Sequence, residues 1–155
     1  MLDLEAIERI KQLKSRYFRF IDTCDVVGLK NEVFTADARI HFRSPTYEIE
    51  FKGWENLEAF YRQSFTENRF GMHQGHHPEI EVTGDTAFGR WYLHDIFINL
   101  DERTVYEGSA LYEDRYVRVG DDWRISESRY DRLLEIVSPL TEDMKITARP
   151  TVPRR

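Results

Sequence analysis

The 155-residue chain has a single cysteine, Cys24, so no disulfide can form within it, and a reducing, cytoplasmic location is expected. The opening Met1-Leu2-Asp3-Leu4-Glu5 lacks the basic and apolar regions of a secretory leader. No uncharged apolar run approaches the roughly 20 residues of a membrane-spanning helix, which excludes a membrane partner. Positive charge is also in deficit. With 22 Lys and Arg against 28 Asp and Glu, the net charge of −6 has the wrong sign for gripping phosphate backbones, so nucleic acid is not an expected partner. No Gly-x-Gly-x-x-Gly loop cradles a phosphate, and no cofactor is expected. Repeats and low-complexity stretches are absent. What the chain does have is aromatics, 14% of its residues, enough to fill a core or line a pocket. The length suits one domain over 1–149, with 150–155 as a loose tail.

From Leu4 to Ile21, the apolar residues Leu4, Ile7, Ile10, Leu13, Tyr17 and Ile21 recur at three- and four-residue steps. Glu5, Glu8, Lys11 and Lys14 fall between them as the polar face. This predicts an amphipathic helix with Asp3 as N-cap, ending in the turn-favouring Asp22-Thr23-Cys24-Asp25. A short second helix is expected after Gly28, carrying Leu29, Val33 and Phe34. A strand over Ala38 to Arg43, a turn at Ser44-Pro45 and a strand over Thr46 to Lys52 follow. Trp54 to about Phe65 reads as a helix with Leu57, Phe60, Tyr61 and Phe65 on one stripe. Beyond Gly71 the pattern becomes β-rich, over about Met72 to Val82, Ala87 to Leu100, Val105 to Val119 and Trp123 to Leu133. Hairpin turns separate these stretches at Gly84-Asp85, Asp101-Glu102 and Gly120-Asp121-Asp122. Helices followed by a long antiparallel meander make an α+β fold, and a curled sheet with a helix across its concave face leaves a cavity between them.

Several residues stand out chemically. Asp22 sits at the C-terminal end of a helix, where the partial negative charge of the backbone opposes a carboxylate; it is either a solvated helix end or the partner of a cation. His73 carries the side chain that titrates nearest neutral pH. With His76 and His77 it invites a metal reading, but Gly75 and Pro78 disfavour a helix there. An extended strand would set His73 and His77 about 13 Å apart, so only a bulge could build a shared site, and no metal is expected. Tyr17 either packs on the apolar stripe or donates its phenol; it lies about 140° around the helix from Asp22. His94 shares a strand face with Tyr92 and Ile96, while Trp91, Asp95 and Phe97 share the other. Tyr112, Tyr116 and Tyr130 are further candidates for a pocket wall.

The order helix, short helix, two strands, helix and four-strand meander resembles the NTF2-like superfamily. The stretches Ile10 to Asp22, Phe34-Thr35-Ala36-Asp37-Ala38 and Ile80 to Ala87 resemble its SnoaL-like branch over about Leu4 to Leu134. The resemblance implies a cone-shaped (cystatin-like) fold, a curved antiparallel sheet wrapped around helices with an internal pocket. Scytalone dehydratase, hexachlorocyclohexane dehydrochlorinase and bile-acid 7α-dehydratase share a first-helix aspartate and a histidine leading into the meander, which match Asp22 and His73 here. By the same resemblance Tyr17 is a donor and Arg129 a cationic group, with Arg132 fitting the spacing nearly as well. It further implies a homo-oligomer, a trimer favoured, formed through the outer sheet face, and a small-molecule substrate. The expected function is a cofactor-independent, dehydratase-like lyase on a small, largely apolar cyclic molecule. An isomerase or cyclase using the same pair, or a non-catalytic binding or interaction module, remains open, because this fold hosts all of them.

Overall fold

In the computed structural model, which describes residues 1–153, helix α1 spans Leu4–Asp22 and is capped by the Asp3 side chain accepting from the Ala6 N–H at 3.0 Å. Ile10, Leu13, Tyr17 and Ile21 are buried along its inner stripe, each apolar side chain contributing about 1.5–3 kcal/mol by leaving water. Leu4, the first residue of the helix, is exposed. Lys14 departs from the expected polar face: it is 1% exposed. Its position explains this, since Ile10, Lys14, Tyr17 and Ile21 follow one another at steps of four, three and four.

After α1 the chain turns through Cys24, whose φ is 55°, into a short helix α2, Val26–Gly28, capped by the Asp25 side chain accepting from the Gly28 N–H. It continues as a π-helical turn, Leu29–Val33. Strands β1 (Phe34–Ser44) and β2 (Tyr47–Lys52) form a hairpin, and helix α3 (Trp54–Ser64) follows Gly53. The meander is β3 (Arg69–Thr83), β4 (Thr86–Asn99), β5 (Thr104–Val119) and β6 (Asp122–Pro139). β3, β5 and β6 run longer than their apolar patterns suggest, because the ladder continues beyond the buried section, while β4 keeps its expected length with both ends one residue earlier.

The six strands form one sheet in the order β2-β1-β6-β5-β4-β3. The pairing is antiparallel except between β1 and β6, which run parallel, so the sheet is mixed and not the purely antiparallel one expected. The curved sheet wraps α1, which packs against β3, with α3 against β1 and β2. The fold is therefore an α+β cone of the cystatin-like kind.

Two local features shape the inner face. A β carbon at Gly71 would lie 2.2 Å from the Ile96 carbonyl oxygen, so only glycine allows β3 and β4 to approach there. In β6 the register against β5 shifts where Ser109 pairs with Leu134 and Ala110 with Arg132, leaving Leu133 unpaired. This bulge brings Arg132 and Glu135, three residues apart, to the same side of the sheet. Of the tail expected over Pro150–Arg155, Arg154 and Arg155 lie outside the described residues.

Candidate functional site

Asp22 is the last residue of α1, and His73 lies on the inner row of β3, so helix end and strand meet where α1 crosses the sheet. His73 Nδ1 is 2.6 Å from Asp22 Oδ1, and the His73 backbone N–H donates to Asp22 Oδ2 at 3.1 Å. Two donors thus offset the unfavourable placement of a carboxylate at a helix C-terminus. With Nδ1 engaged on the carboxylate, the proton sits on that nitrogen and Nε2 is left as the basic atom. The imidazole stacks on Phe18 with ring centres 6.1 Å apart and meets the edge of Phe65 at 5.7 Å, which fixes its plane. A β carbon at Gly75 would lie 2.4 Å from the Phe18 ring, so the missing side chain two residues beyond His73 makes room for that stack.

The His73 ring lines a cavity with two chambers. The inner one, of about 60 Å³, is walled by Tyr17, Ile21, Phe42, Tyr61, Leu93 and Tyr112; the outer, of about 330 Å³, opens past Tyr47, Ile49, Arg69, Phe97, Asn99 and Tyr106. Phe60, Phe65, His73, Asp95, Tyr130 and Arg132 line both chambers and form the neck between them.

Tyr17 is buried, and its hydroxyl lies 3.2 Å from that of Tyr61 and 3.5 Å from that of Tyr112. Burial is the largest reason its phenol is pushed up to about 12; it stays protonated at neutral pH and can donate. Burial likewise raises Tyr61 and Tyr112 well above the ordinary phenol value.

Arg132, not Arg129, reaches this cavity. Along β6, Ser128, Tyr130 and Arg132 turn inward, whereas Arg129 points outward and pairs with Glu113 on β5. Alternation across the pleat decides between the two arginines. Arg132 makes a two-pronged contact with the buried Asp95, Nη2 to Oδ2 at 2.7 Å, while its Nε donates to the Tyr47 hydroxyl at 3.2 Å and faces Glu135 at 3.3 Å. Burial alone would lower its pKa, but the hydrogen bonds and charge of Asp95 outweigh this and hold it above the usual value. Arg132 is thus a fixed, permanently charged donor whose charge is already matched by carboxylates.

Asp95, Tyr61 and Tyr47 join the site without having stood out chemically in the sequence. A signal existed for Asp95: it shares the alternation face of Trp91 and Phe97, and a carboxylate on an aromatic face must find a partner. Tyr112 and Tyr130 line the cavity. Tyr116 does not: its hydroxyl donates to Asp114 at 2.8 Å and accepts from Trp91 Nε1 at 3.0 Å. That carboxylate, wholly buried, also accepts from Ser128 at 2.7 Å and stands 2.7 Å from Lys14 Nζ, which in turn lies 3.6 Å from the centre of the Tyr112 ring. A buried ion pair therefore underlies the tyrosine wall. His76 and His77 stack on each other at 5.4 Å in a groove of the outer face that also includes His94, with His77 at φ 51° beside a register shift in β3. His73 is on the opposite face of the sheet from them. No helix among the described residues is long and apolar enough to cross a membrane.

Known structures share this architecture. A hexachlorocyclohexane dehydrochlorinase of type 2 superposes with a TM-score of 0.77 at 17% identity, over 92% of this chain and 94% of that one. A candidate scytalone dehydratase from Novosphingobium aromaticivorans gives 0.75 at 18%, over 99% and 97%. An NTF2-like protein with a cystatin-like fold from the same organism gives 0.67 at 20%, over 84% and 83%. At these identities the likeness is one of fold. The family model of the SnoaL-like domain matches residues 2–129, spanning α1, the β1–β2 hairpin, α3 and the strands that carry His73 and Asp95, and the chain belongs to the SnoaL-like domain family.

Proposed function

We propose that the chain is a cofactor-independent lyase that eliminates water or a comparable leaving group from a small, largely apolar cyclic molecule. The observation that carries this reading is the 2.6 Å contact between His73 Nδ1 and Asp22 Oδ1, which leaves Nε2 as the basic nitrogen of a ring that lines an aromatic cavity. Nε2 takes a proton from the carbon next to the departing group, and Asp22 stabilises the imidazolium that forms. The protonated Tyr17, supported by Tyr61 and Tyr112, donates to the leaving oxygen, and Arg132, held by Asp95, fixes the shape of the neck. The similar folds named for dehydration and dehydrochlorination favour elimination over other proton transfers.

Incubating the protein with a panel of cyclic alcohols and following product mass tests the reaction class. Loss of 18 mass units, the mass of one water, is the expected result. Unchanged mass with a shifted double bond would move the assignment to an isomerase, and binding without conversion would make the chain a ligand carrier.

The outer sheet face exposes Tyr92, Leu134 and Ile136 around a groove of about 340 Å³, which favours assembly of copies through that face, and the resemblance to related dehydratases makes a trimer the state proposed. Light scattering at micromolar concentration should return three times the 18.6 kDa of one chain, and Leu134→Glu should lower it. A monomeric wild-type protein would end this proposal.

A further inference from the structure

On the inner row of β3, Arg69 precedes His73 by four residues, and the position between them is Gly71. Their backbones are therefore about 13 Å apart, with no side chain intervening on that row. Both line the outer chamber. Among the described residues the other arginines end on a carboxylate, a carbonyl or an aromatic ring, as Arg62 does on Glu58, Arg103 on the Leu140 carbonyl and Arg19 on Phe20. Arg69 ends on none of these, and its Nε is buried without a hydrogen-bond partner. An unmet buried donor of a charged group is costly, so such a group is a place where an acceptor belongs. The chamber's own carboxylates are directed elsewhere. Asp95 and Glu135 face Arg132, and Glu102 accepts from Tyr106 at 3.5 Å.

We infer that Arg69 is a substrate-binding residue that holds a carboxylate at the outer end of the cavity while the reacting carbon lies at His73. A planar guanidinium meets a carboxylate through Nε and Nη2 with two parallel hydrogen bonds, which suits an acid better than a neutral acceptor. The separation along β3 admits one ring plus a short acid arm. The substrate class is thus a cyclic carboxylic acid, apolar in its body and anionic at one end. This inference rests on His73 being the reacting end.

The test uses 3-phenylpropionate and its neutral amide, titrated calorimetrically into the full chain at pH 7. The acid should bind about 10- to 100-fold more tightly than the amide. Arg69→Met should abolish that preference while leaving amide affinity unchanged, and Arg69→Lys should retain part of it. Arg69→Gln, which keeps length and polarity, serves the same comparison should the methionine variant not fold. Equal binding of acid and amide, or binding of neither, overturns the inference. So does a preference that survives Arg69→Met, which would assign the acid to Arg132. His73→Ala should keep the preference. A His73→Ala protein that retains turnover sinks the general base but not the carboxylate site, so the two ideas fail separately.

Discussion

Replacing His73 by alanine lowers turnover by about 10²- to 10⁴-fold while substrate affinity changes little, once the panel of cyclic alcohols has supplied a substrate. The size follows from the usual worth of a positioned general base. The split between kcat and KM follows because the imidazole is asked to act on the proton in flight, not to grip the ground state. Asp22→Asn should lower kcat comparably. The amide can donate to Nδ1 as well as accept from it, so the ring is free to present a protonated Nε2, the wrong tautomer for a base. Single-turnover kinetics on purified variants checks both. A His73→Ala protein with wild-type kcat would show that the proton goes elsewhere.

The largest effect on stability is expected at Asp114. Removing it by Asp114→Ala leaves the Lys14 ammonium buried without its counter-ion and strips Ser128 and Tyr116 of their acceptor, a loss of about 3–5 kcal/mol. Lys14→Met combined with Asp114→Asn, which removes both charges and keeps an acceptor, should recover most of it. Urea unfolding midpoints decide, and an Asp114→Ala protein within about 1 kcal/mol of wild type would mean that Lys14 carries no charge in the native state. The pH dependence has a definite sign. Burial lowers the pKa of Lys14 below 10.5, against the raising influence of Asp114. The native state therefore releases that proton more readily than the unfolded chain. This group's contribution is complete above pH 10.5 and is lost as pH falls through its native value, so stability rises with pH in that window. Without Asp114 the native value drops further and the window widens.

Much of the fold could be read from spacing alone. The α1 stripe, the Asp3 cap, the hairpin turns at Gly84-Asp85 and Gly120-Asp121-Asp122, and the alternation on β4 are local signals, and each marks an element of the structure. The residues paired across the site, Asp22 and His73, came from resemblance to the family. Their contact spans 51 positions and has no local signature. Lys14 reads as polar face by residue type, whereas the i, i+4, i+7 spacing puts it with Ile10 and Tyr17, where the structure has it. The choice between Arg129 and Arg132 needed the phase of the pleat in β6. Leu133 resets that phase for Glu135, and nothing in the composition around Leu133 announces an unpaired residue.

The parallel pairing of β1 with β6 also sets an order of events during synthesis. Phe34 pairs with Ile125 and Arg43 with Asp131, so the inner edge of the β1–β2 hairpin waits for a strand made roughly 90 residues later. At ribosomal rates of about 5–20 residues per second, that edge stands open for about 5–20 s, with Phe34, Ile40 and Phe42 uncovered. The nascent chain is then most prone to sticking to others through an unpaired strand. The cavity closes last, when β6 delivers Tyr130 and Arg132, so a ligand can assist only the final step of folding and cannot protect the hairpin while it waits.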